Sequence, residues 1–459
     1  MIQILLTVLM LGLMVYLLTK KLSPVMCMIG IAMIVLFIYT AVTGNSVMGE
    51  ATCGNKFLDV FELIYSQAAS AFKKNVLIVM CIMGYVAYMD YLKAGNMFAL
   101  VCSKPLLKFK SSFPAVVFGA MFVAILKIVI PSSVGSMALA LGTVYPIMKK
   151  CKVSVPACAA TMVIGAAFIW GPADANTLMA ISAAGIEADL TYQFVTYQIP
   201  MFFSFFIPAI IVHFFTTKFF DKKETASGKM VYQKEEELQS ADELGIPKWF
   251  AILPLLPLIF AIVFSKLVIK SVNISLVAAS FMSLFVALIL NIVVCKKNVI
   301  EEINNTAAFF KGTGDYAGKS GWLIVAGGIY GVAVTALGAA NVLVNVLSAS
   351  GGSALTFFIP IILLSAIMGA LIMQSAPITT FAPLIATYCS TLPGAVTPAL
   401  LQLMAESAAI SAQFYPASSG ILLLSSTTEV PIFQIFKRAA APVVTGIITL
   451  SIFSLIMYL

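Results

Sequence analysis

Apolar runs of roughly 18 residues or more recur along this chain, and each is long enough to cross a bilayer as a helix. The 459 residues are 61% hydrophobic and 10% charged, whereas soluble domains carry about 25% charged residues. Spanning segments in lipid must pair their own backbone groups, which favours helices. We therefore predict an all-α polytopic protein, multi-pass in a bacterial-type cytoplasmic (inner) membrane. The predicted spans are 2–18, 24–43, 75–93, 155–183, 193–217, 249–269, 274–295, 321–346, 397–425 and 440–458.

Two further apolar stretches, 113–148 and 354–388, are too long for one span, and small and polar residues interrupt each midway. Lysines flank the first stretch on both sides, with Lys104, Lys108 and Lys110 before it and Lys149, Lys150 and Lys152 after it. Basic residues favour the cytoplasmic side, so both of its ends are expected there. We interpret the two stretches as re-entrant hairpins.

The sequence divides into two halves, 1–217 and 249–459, joined by a polar cytoplasmic linker, 218–248. Three features recur at nearly constant separation: the prolines 172 and 416 (416 − 172 = 244), the hairpin tips at 134 and 377 (377 − 134 = 243), and amphipathic segments that begin at 57 and 300 (300 − 57 = 243). Counting the predicted spans between equivalent elements shows that the two copies have opposite orientations in the membrane. This predicts an inverted repeat, an architecture of many secondary transporters, with 57–73 and 300–315 as interfacial helices.

Proline interrupts one apolar helix in each half, within 155–183 at Gly171-Pro172 and within 397–425 at Pro416. A proline opens the hydrogen-bond ladder, and lipid tolerates this only where protein or a water-filled cavity receives the freed groups. The breaks and hairpin tips therefore predict four polar clusters around one cavity. An alternative role for each hydroxyl is a bond to its own helix backbone. The candidate substrate-binding residues are Ser132, Ser133, Ser136, Asn176, Thr177, Gln374, Ser375, Thr379, Gln413, Tyr415, Ser418, Ser419 and Lys127.

Three charged residues, Lys127, Asp174 and Glu406, fall inside apolar segments. A charge at the bilayer centre costs at least about 2.5–3.5 kcal/mol, so such a residue faces a cavity or a partner. Lys127 is expected either to hold an anionic substrate or to neutralise Glu406, for which a structural role is favoured. The candidates for cation binding or proton coupling are Asp174, Ser133, Ser375 and Glu406.

The sequence lacks the phosphate-binding, esterase, zinc-protease and haem-attachment motifs, so we expect no enzyme activity and no cofactor. Transport would depend on a sodium or proton gradient, and no metal beyond a possible sodium ion is predicted. The eight cysteines have no CxxC spacing and are expected to be core residues. The charge of +8 comes mostly from lysines in short loops, which gives no indication of nucleic-acid binding.

Several short motifs carry a family resemblance: His213-Phe214-Phe215, Asp221-Lys222-Lys223-Glu224, Ala251-Ile252-Leu253-Pro254, Ser132-Ser133 before Pro146, and Phe436-Lys437-Arg438 with Pro442-Val443. The chain resembles the four-carbon dicarboxylate carrier (DcuC) family, which belongs to the ion transporter superfamily with the divalent anion–sodium symporters. The resemblance implies a homodimer, with a scaffold domain and a transport domain in each protomer. The transport domain, with both hairpins and both broken helices, would move like an elevator. It would carry fumarate, succinate or a similar anion with protons or sodium.

The sequence departs from that pattern in two ways. The hairpin tips lack the Ser-Asn-Thr of the symporters, and Ala412 lies where the carriers have an arginine. The chain's single arginine, Arg438, is placed in a loop by the sequence. A monocarboxylate, an amino acid or a peptide-like compound is therefore an alternative substrate, and a cation/proton antiporter that uses Asp174 is an alternative function. A subunit of a larger complex or a receptor-like scaffold is disfavoured because the loops are short.

Overall fold

A computed structural model describes most of the chain, and every regular element among the described residues is helical. It leaves out 1–5, 7, 8, 11, 15, 18, 19, 21, 105–110, 131, 132, 173, 227–243, 267, 339–352, 372, 373, 416 and 417, and the side chains of 74, 75, 133, 134, 225, 226, 319, 320 and 419.

The first half contains nine helices among its described residues, counting those of more than one turn. They are α1 (Pro24–Thr43), α2 (Asp59–Ala71), α3 (Leu77–Tyr91), α4 (Ala94–Ser103), α5 (Ser112–Val129), α6 (Ser133–Lys150), α7 (Val155–Ala167), α8 (Ala175–Ala184) and α9 (Ile199–Ala226). A π-helical turn, Phe72–Val76, joins α2 to α3, and the turns Leu190–Gln193 and Phe194–Gln198 lead into α9.

The second half begins with a 3₁₀ segment, Lys248–Leu255. Its helices are α10 (Leu256–Val263), α11 (Leu276–Val294), α12 (Val299–Asn305), α13 (Ala307–Tyr316), α14 (Trp322–Ala336), α15 (Ala354–Leu371), α16 (Ser375–Cys389), α17 (Thr397–Ser411), α18 (Ser419–Thr428) and α19 (Ile432–Tyr458). A second π-helical turn, Ala317–Gly321, joins α13 to α14, as the first joins α2 to α3.

Six helices in the described part of the chain are long and apolar enough to cross a membrane: α1, α5, the helix ending in α9, α11, α15 and α19. The span 24–43 coincides with α1, whereas 249–269 is a 3₁₀ segment followed by the short α10, with Pro254 and Pro257 in the region where they meet. Most of 2–18 and part of 321–346 lie outside the described residues. The predicted total of ten spans stays a prediction.

The two predicted hairpins each consist of two helices that pack against each other, α5 with α6 and α15 with α16. Each also packs on the first part of the broken helix in its own half, through α5 with α7 and α15 with α17. The second arms cross over, because α16 packs on α8 and α6 packs on α18. Helices α5 and α15, the first arms, have 18 residues each, which is about 27 Å of helix. That length is enough to cross a membrane, so the re-entrant course of the hairpins stays a prediction.

A separate apolar core lies between α3, α11 and α13. It includes Tyr85 and Tyr88 on α3, Leu284 on α11 and Phe309 on α13. The hydroxyl of Tyr85 donates to the carbonyl of Leu253 at 2.7 Å, which ties the 3₁₀ segment to this core.

An acidic residue near the start of each amphipathic segment accepts hydrogen bonds from the part of the chain that precedes it. Asp59 is buried and accepts from Ser46 Oγ at 2.5 Å, Thr52 Oγ1 at 2.7 Å and the amide of Cys53 at 2.7 Å. These hydrogen bonds, that from Ser46 first, lower the pKa of Asp59 well below its ordinary value. Glu302 accepts from Asn291 Nδ2 at 2.9 Å, which joins α12 to α11.

The placement of Arg438 in a loop was wrong. The residue lies within α19 with none of its surface exposed, and its guanidinium reaches Asp221 at 3.0 Å and Glu224 at 2.7 Å on α9. Asp221 also accepts from Ser154 Oγ at 2.8 Å, just before α7. A guanidinium forms such paired bonds with carboxylates readily, so this ion pair joins α9 and α19.

Candidate functional site

The first helix break begins earlier than its proline. Helix α7 ends at Ala167, Phe168 is extended, and α8 does not begin until Ala175. Pro172 has no amide hydrogen and its ring opposes the carbonyl four residues before, which is that of Phe168. The chain between the helices therefore leaves several amides to be paired by other groups.

Side chains from distant elements pair two of those amides. The amide of Ile169 donates to Glu406 Oε2 at 3.2 Å, and the amide of Gly171 donates to Gln198 Oε1 at 2.8 Å. The indole of Trp170 donates to the carbonyl of Ala124 on α5 at 2.8 Å. The amides of Ile169 and Gly171 are therefore paired by the protein itself, and neither is free to bind an anion.

The side chain of Asp174 likewise pairs free backbone amides, here those at the start of α8. Its Oδ1 accepts from the amide of Asn176 at 2.9 Å and its Oδ2 from the amide of Thr177 at 3.2 Å, and the Thr177 hydroxyl also bonds Oδ2. Asp174 is 3% exposed. The site that an anion would use at this helix N-terminus is therefore filled by the protein's own carboxyl group.

Gln402 on α17 connects Asp174 to the second acid. Its Oε1 lies 2.5 Å from Thr177 Oγ1 and also receives Gln198 Nε2 at 3.2 Å and Gln193 Nε2 at 3.3 Å. Its Nε2 donates to Glu406 Oε1 at 2.8 Å. A continuous chain of hydrogen bonds thus runs from Asp174 in one half to Glu406 in the other, and we call it the acid chain (Asp174, Thr177, Gln402 and Glu406).

Lys127 near the end of α5 is the cation of this region. It is 1% exposed and interacts electrostatically with both Asp174 and Glu406. A buried charge is costly unless it is paired, so these three groups form one electrostatic unit. The structure thus brings together the three charged residues that the sequence singled out.

The second break has a different character, because several of its polar groups make no internal bond. Ser418 precedes α18 without capping it by its side chain. Gln413 Oε1 at this break and Ser375 Oγ at the second hairpin tip are buried, at residues 5% and 1% exposed. Neither has a hydrogen-bond partner among the described residues. Unpaired buried polar groups cost about 1–3 kcal/mol each. A polar ligand at this break would offset that cost.

The remaining predicted residues divide into three groups. Thr379 bonds a backbone carbonyl of its own helix, as the alternative role described, and the neighbouring Thr380, which is not a predicted site residue, does the same. Ser136 and Asn176 are buried, whereas Gln374 and Tyr415 are half-buried. Ser132 and the side chains of Ser133 and Ser419 lie outside the described residues.

Sequence reasoning missed three glutamines, Gln193, Gln198 and Gln402. Gln402 and Glu406 are four residues apart, which places them on one face of a helix, and a buried polar pair at that spacing within an apolar run was a usable signal. Gln193 and Gln198 lie at the start of a predicted span, where a glutamine is ordinarily interfacial.

The family model described as "C4-dicarboxylate anaerobic carrier" (DcuC) matches residues 2–459. The chain belongs to the DcuC family. A relative from Vibrio cholerae, the "Probable anaerobic C4-dicarboxylate transporter DcuC", is 23% identical over 431 residues, covering 92% of this chain and 91% of that protein. The Escherichia coli K12 "Anaerobic C4-dicarboxylate transporter DcuC" is 22% identical over 420 residues, covering 90% and 88%.

Two solved structures resemble the fold of this DcuC-family chain. Neisseria gonorrhoeae MtrF, described with a class of antimetabolite efflux pumps, has a TM-score of 0.52 at 13% identity and covers 94% of this chain and 95% of its own. The Alcanivorax borkumensis YdaH transporter has a TM-score of 0.50 at 12% identity, covering 98% and 97%. With its several apolar helices, the chain is a multi-pass inner-membrane protein and not an enzyme.

Proposed function

We propose that this protein is a secondary active carrier that moves a four-carbon dicarboxylate, or a related small organic anion, across the inner membrane. The single observation that carries the proposal is the acid chain, in which charged and polar groups of both halves meet at a helix break inside an apolar protein. Membership of the DcuC family favours the same function. The coupling ion is sodium or a proton.

The architecture proposed is an inverted repeat whose hairpins and broken helices form a transport domain. Recurring element boundaries support it: the two π-helical turns begin at 72 and 317 (317 − 72 = 245), and the helices after the breaks begin at 175 and 419 (419 − 175 = 244). The crossed packing of α16 on α8 and of α6 on α18 makes each half complete the other.

An elevator movement of this transport domain against a scaffold is also part of the proposal. The scaffold would be built on the separate core of α3, α11 and α13. Helix α14 follows α13 of this core through the turn Ala317–Gly321 and packs on α8, so it connects the two parts. The wider relation to the divalent anion–sodium symporters and a homodimeric assembly are retained as implied by the family resemblance.

In this proposal the substrate carboxylate binds at the second break and the second hairpin tip. Ser375 Oγ and Gln413 Oε1 are buried without partners, and the N-termini of α16 and α18 have no side-chain cap among the described residues. Hydroxyl and amide groups near a helix N-terminus suit a carboxylate. Gln413 Oε1 accepts only, so it would face a substrate hydroxyl, a protonated carboxyl or an ammonium group.

A monocarboxylate or an amino-acid-like substrate is the second candidate, and one observation favours it. The chain's single arginine is held by Asp221 and Glu224, so no guanidinium is free to bind a second carboxylate bidentately. We favour transport of an organic substrate over cation/proton antiport. Ser375 Oγ and Gln413 Oε1 are buried without partners among the described residues, and a polar organic ligand could bond to them.

Flux into proteoliposomes tests the proposed function. Purified protein is reconstituted, sodium or proton gradients are imposed separately, and uptake of radiolabelled succinate, fumarate, lactate and aspartate is measured. We expect gradient-dependent uptake of at least one of them. Ser375→Ala should weaken substrate binding, whereas Ser280→Ala should not, because Ser280 is equally buried on α11 and bonds its own backbone. Absence of gradient-dependent flux for every compound would contradict the proposal.

A further inference from the structure

The orientation of the Gln198 amide is fixed by a backbone group. The amide N–H of Gly171 can only donate, so the atom of Gln198 that receives it at 2.8 Å is the oxygen Oε1. The other atom, Nε2, is a donor, and it lies 3.2 Å from Gln402. The atom of Gln402 at that contact must therefore be its oxygen.

The orientation of Gln402 then fixes the role of Glu406. With Oε1 facing Gln198, Nε2 of Gln402 donates to Glu406 Oε1 at 2.8 Å. The other oxygen of Glu406 accepts the amide of Ile169 at 3.2 Å. In these two bonds Glu406 only accepts, as an ionised carboxylate does. The buried Lys127 interacts electrostatically with it and supplies a positive charge.

The Thr177 hydroxyl has one proton and two neighbours that would each receive it. Gln402 Oε1, 2.5 Å away, is an acceptor, so the hydroxyl proton is directed there. Thr177 Oγ1 also bonds Asp174 Oδ2. Since the hydroxyl has no second proton, that bond needs a proton from Asp174.

We infer that Asp174 is protonated in this structure and carries the coupling proton of the transport cycle, while Glu406 remains ionised opposite Lys127. This inference rests on the proposed function for its role in transport and on hydrogen-bond counting for the protonation state. Asp174 Oδ2 takes a proton from water on one side of the membrane and releases it to water on the other. Only this O–H bond forms and breaks, and Gln402 is a positioning residue.

The surroundings of Asp174 favour both of its states. The amides of Asn176 and Thr177 donate to its two oxygens and stabilise the anion. Burial, with only 3% of Asp174 exposed, favours the neutral acid. A carboxyl group under such opposed influences can be loaded and unloaded reversibly, which a coupling site requires.

The other titratable groups near Asp174 come from several elements. Lys127 on α5, Glu406 on α17 and Tyr316 at the end of α13 interact with it electrostatically. Helices α14 and α16 also pack on α8, and they contribute Tyr330, which lies beside Thr380, and Tyr388, which packs on Phe357. Helix α13 also carries Asp315, which is exposed. Among the described residues of α5, α14, α16 and α17, Glu406 is the one other acid, so it is the necessary control.

Infrared spectroscopy of the purified protein in lipid tests the protonation state directly. During a sodium-free titration to high pH, we expect the carbonyl band of a buried carboxylic acid to disappear. The band should be missing in Asp174→Asn and retained in Glu406→Gln. Thr177→Ser keeps the hydroxyl and should keep the band. A band unchanged in Asp174→Asn, or one that is lost only in Glu406→Gln, would overturn the inference.

Transport by Asp174→Asn provides the second test. The asparagine amide can donate to Thr177 Oγ1 and imitates the protonated acid, so the variant should keep the fold of the helix break and lose the ability to bind and release the proton. Proton-driven accumulation should fall by at least about tenfold, the scale of a lost coupling between two ligands. Accumulation that keeps its proton dependence in this variant, or that follows sodium alone in the wild type, would overturn the inference. Absence of any flux by the wild type contradicts the proposed function instead, and the infrared band is independent of it.

Discussion

Glu406 Oε2 lies 3.2 Å from the backbone nitrogen of Ile169, so an acid on α17 closes the helix break of the opposite half. The same side chain receives the amide of Gln402 and faces Lys127. Glu406 therefore has a structural role, which the sequence favoured, and it also belongs to the acid chain, which the sequence did not foresee.

Truncation of Glu406 is expected to destabilise the protein. Glu406→Ala leaves the amides of Ile169 and Gln402 without partners and removes a carboxylate from Lys127. Breaking a buried ion pair from one side costs about 3–5 kcal/mol. In detergent, the unfolding temperature should fall by a large amount in Glu406→Ala. It should fall less in Glu406→Gln, because glutamine keeps a hydrogen-bond acceptor.

Glu301→Ala is the matched control for that experiment. Glu301 is exposed one position before Glu302 on α12, and an exposed substitution usually changes stability by about 0.5 kcal/mol or less. Equal unfolding temperatures for Glu406→Ala and Glu301→Ala would show that Glu406 makes no buried contact of this kind.

Arg438 should matter for stability and not for substrate affinity. Arg438→Met removes a buried cation from Asp221 and Glu224, which are themselves about one-fifth exposed, so we expect a cost of about 3 kcal/mol, the lower end of the range for buried pairs. The neighbouring Lys437 is exposed and lies over the ring of Phe220, 4.6 Å from its centroid, so Lys437→Met should have a small effect. Unfolding temperature and substrate KM are measured for both variants. A KM raised severalfold in folded Arg438→Lys would show that the arginine contacts substrate.

The close approach of α14 to α8 predicts a sharp effect of one added methyl group. A Cβ at Gly331 would lie 2.4 Å from the carbonyl oxygen of Ala183, so Gly331→Ala must push the two helices apart. If α8 moves past α14 during transport, the variant should transport more slowly and be less stable. Initial rates and unfolding temperature are measured together.

Gly142→Ala on α6 controls for the substitution itself. No atom lies within 4 Å of a Cβ at Gly142, and alanine is favoured over glycine in a helix by about 0.5–1 kcal/mol. Gly142→Ala should therefore be neutral or stabilising. Wild-type rates in Gly331→Ala would contradict the close packing of α8 and α14.

The loop before α2 is expected to loosen in acid. The pKa of Asp59 is lowered on folding by its hydrogen bonds from Ser46, Thr52 and Cys53. A lowered pKa means that this contribution is complete above the ordinary pKa of about 4 and is lost as the pH falls from there toward the folded pKa. Hydrogen exchange in 44–59 should be faster in Asp59→Asn than in the wild type at neutral pH. A difference that persists unchanged in strong acid would contradict this assignment.

The sequence predicted the helical class, the two breaks and the three buried charges because each depends on a local pattern. An apolar run, a proline and an isolated charge in lipid have strong and nearly context-free consequences. The contacts of Gln402 with Thr177 and Gln198 were not predictable, because they join residues about two hundred positions apart along the chain. The same is true of Arg438, whose partners on α9 follow from the packing of α9 against α19.

The differences between the two breaks also depended on tertiary structure. Pro172 and Pro416 read alike in the sequence, yet the amides of Ile169 and Gly171 at the first break are paired by side chains from α17 and the Gln198 turn. Whether a freed amide binds ligand or protein depends on what is packed nearby, which local sequence does not encode.

The crossed packing of the hairpin arms has a consequence for biosynthesis. Helix α8 rests on α14, α16 and α17, all of which emerge from the ribosome after the linker 218–248. Until they arrive, Asp174 has no Gln402 or Glu406 beside it, and the first half must wait in the membrane with its interrupted helix uncovered. A chain cut after the first half should accordingly be recognised by quality-control proteases, and supplying the second half as a separate polypeptide should protect it.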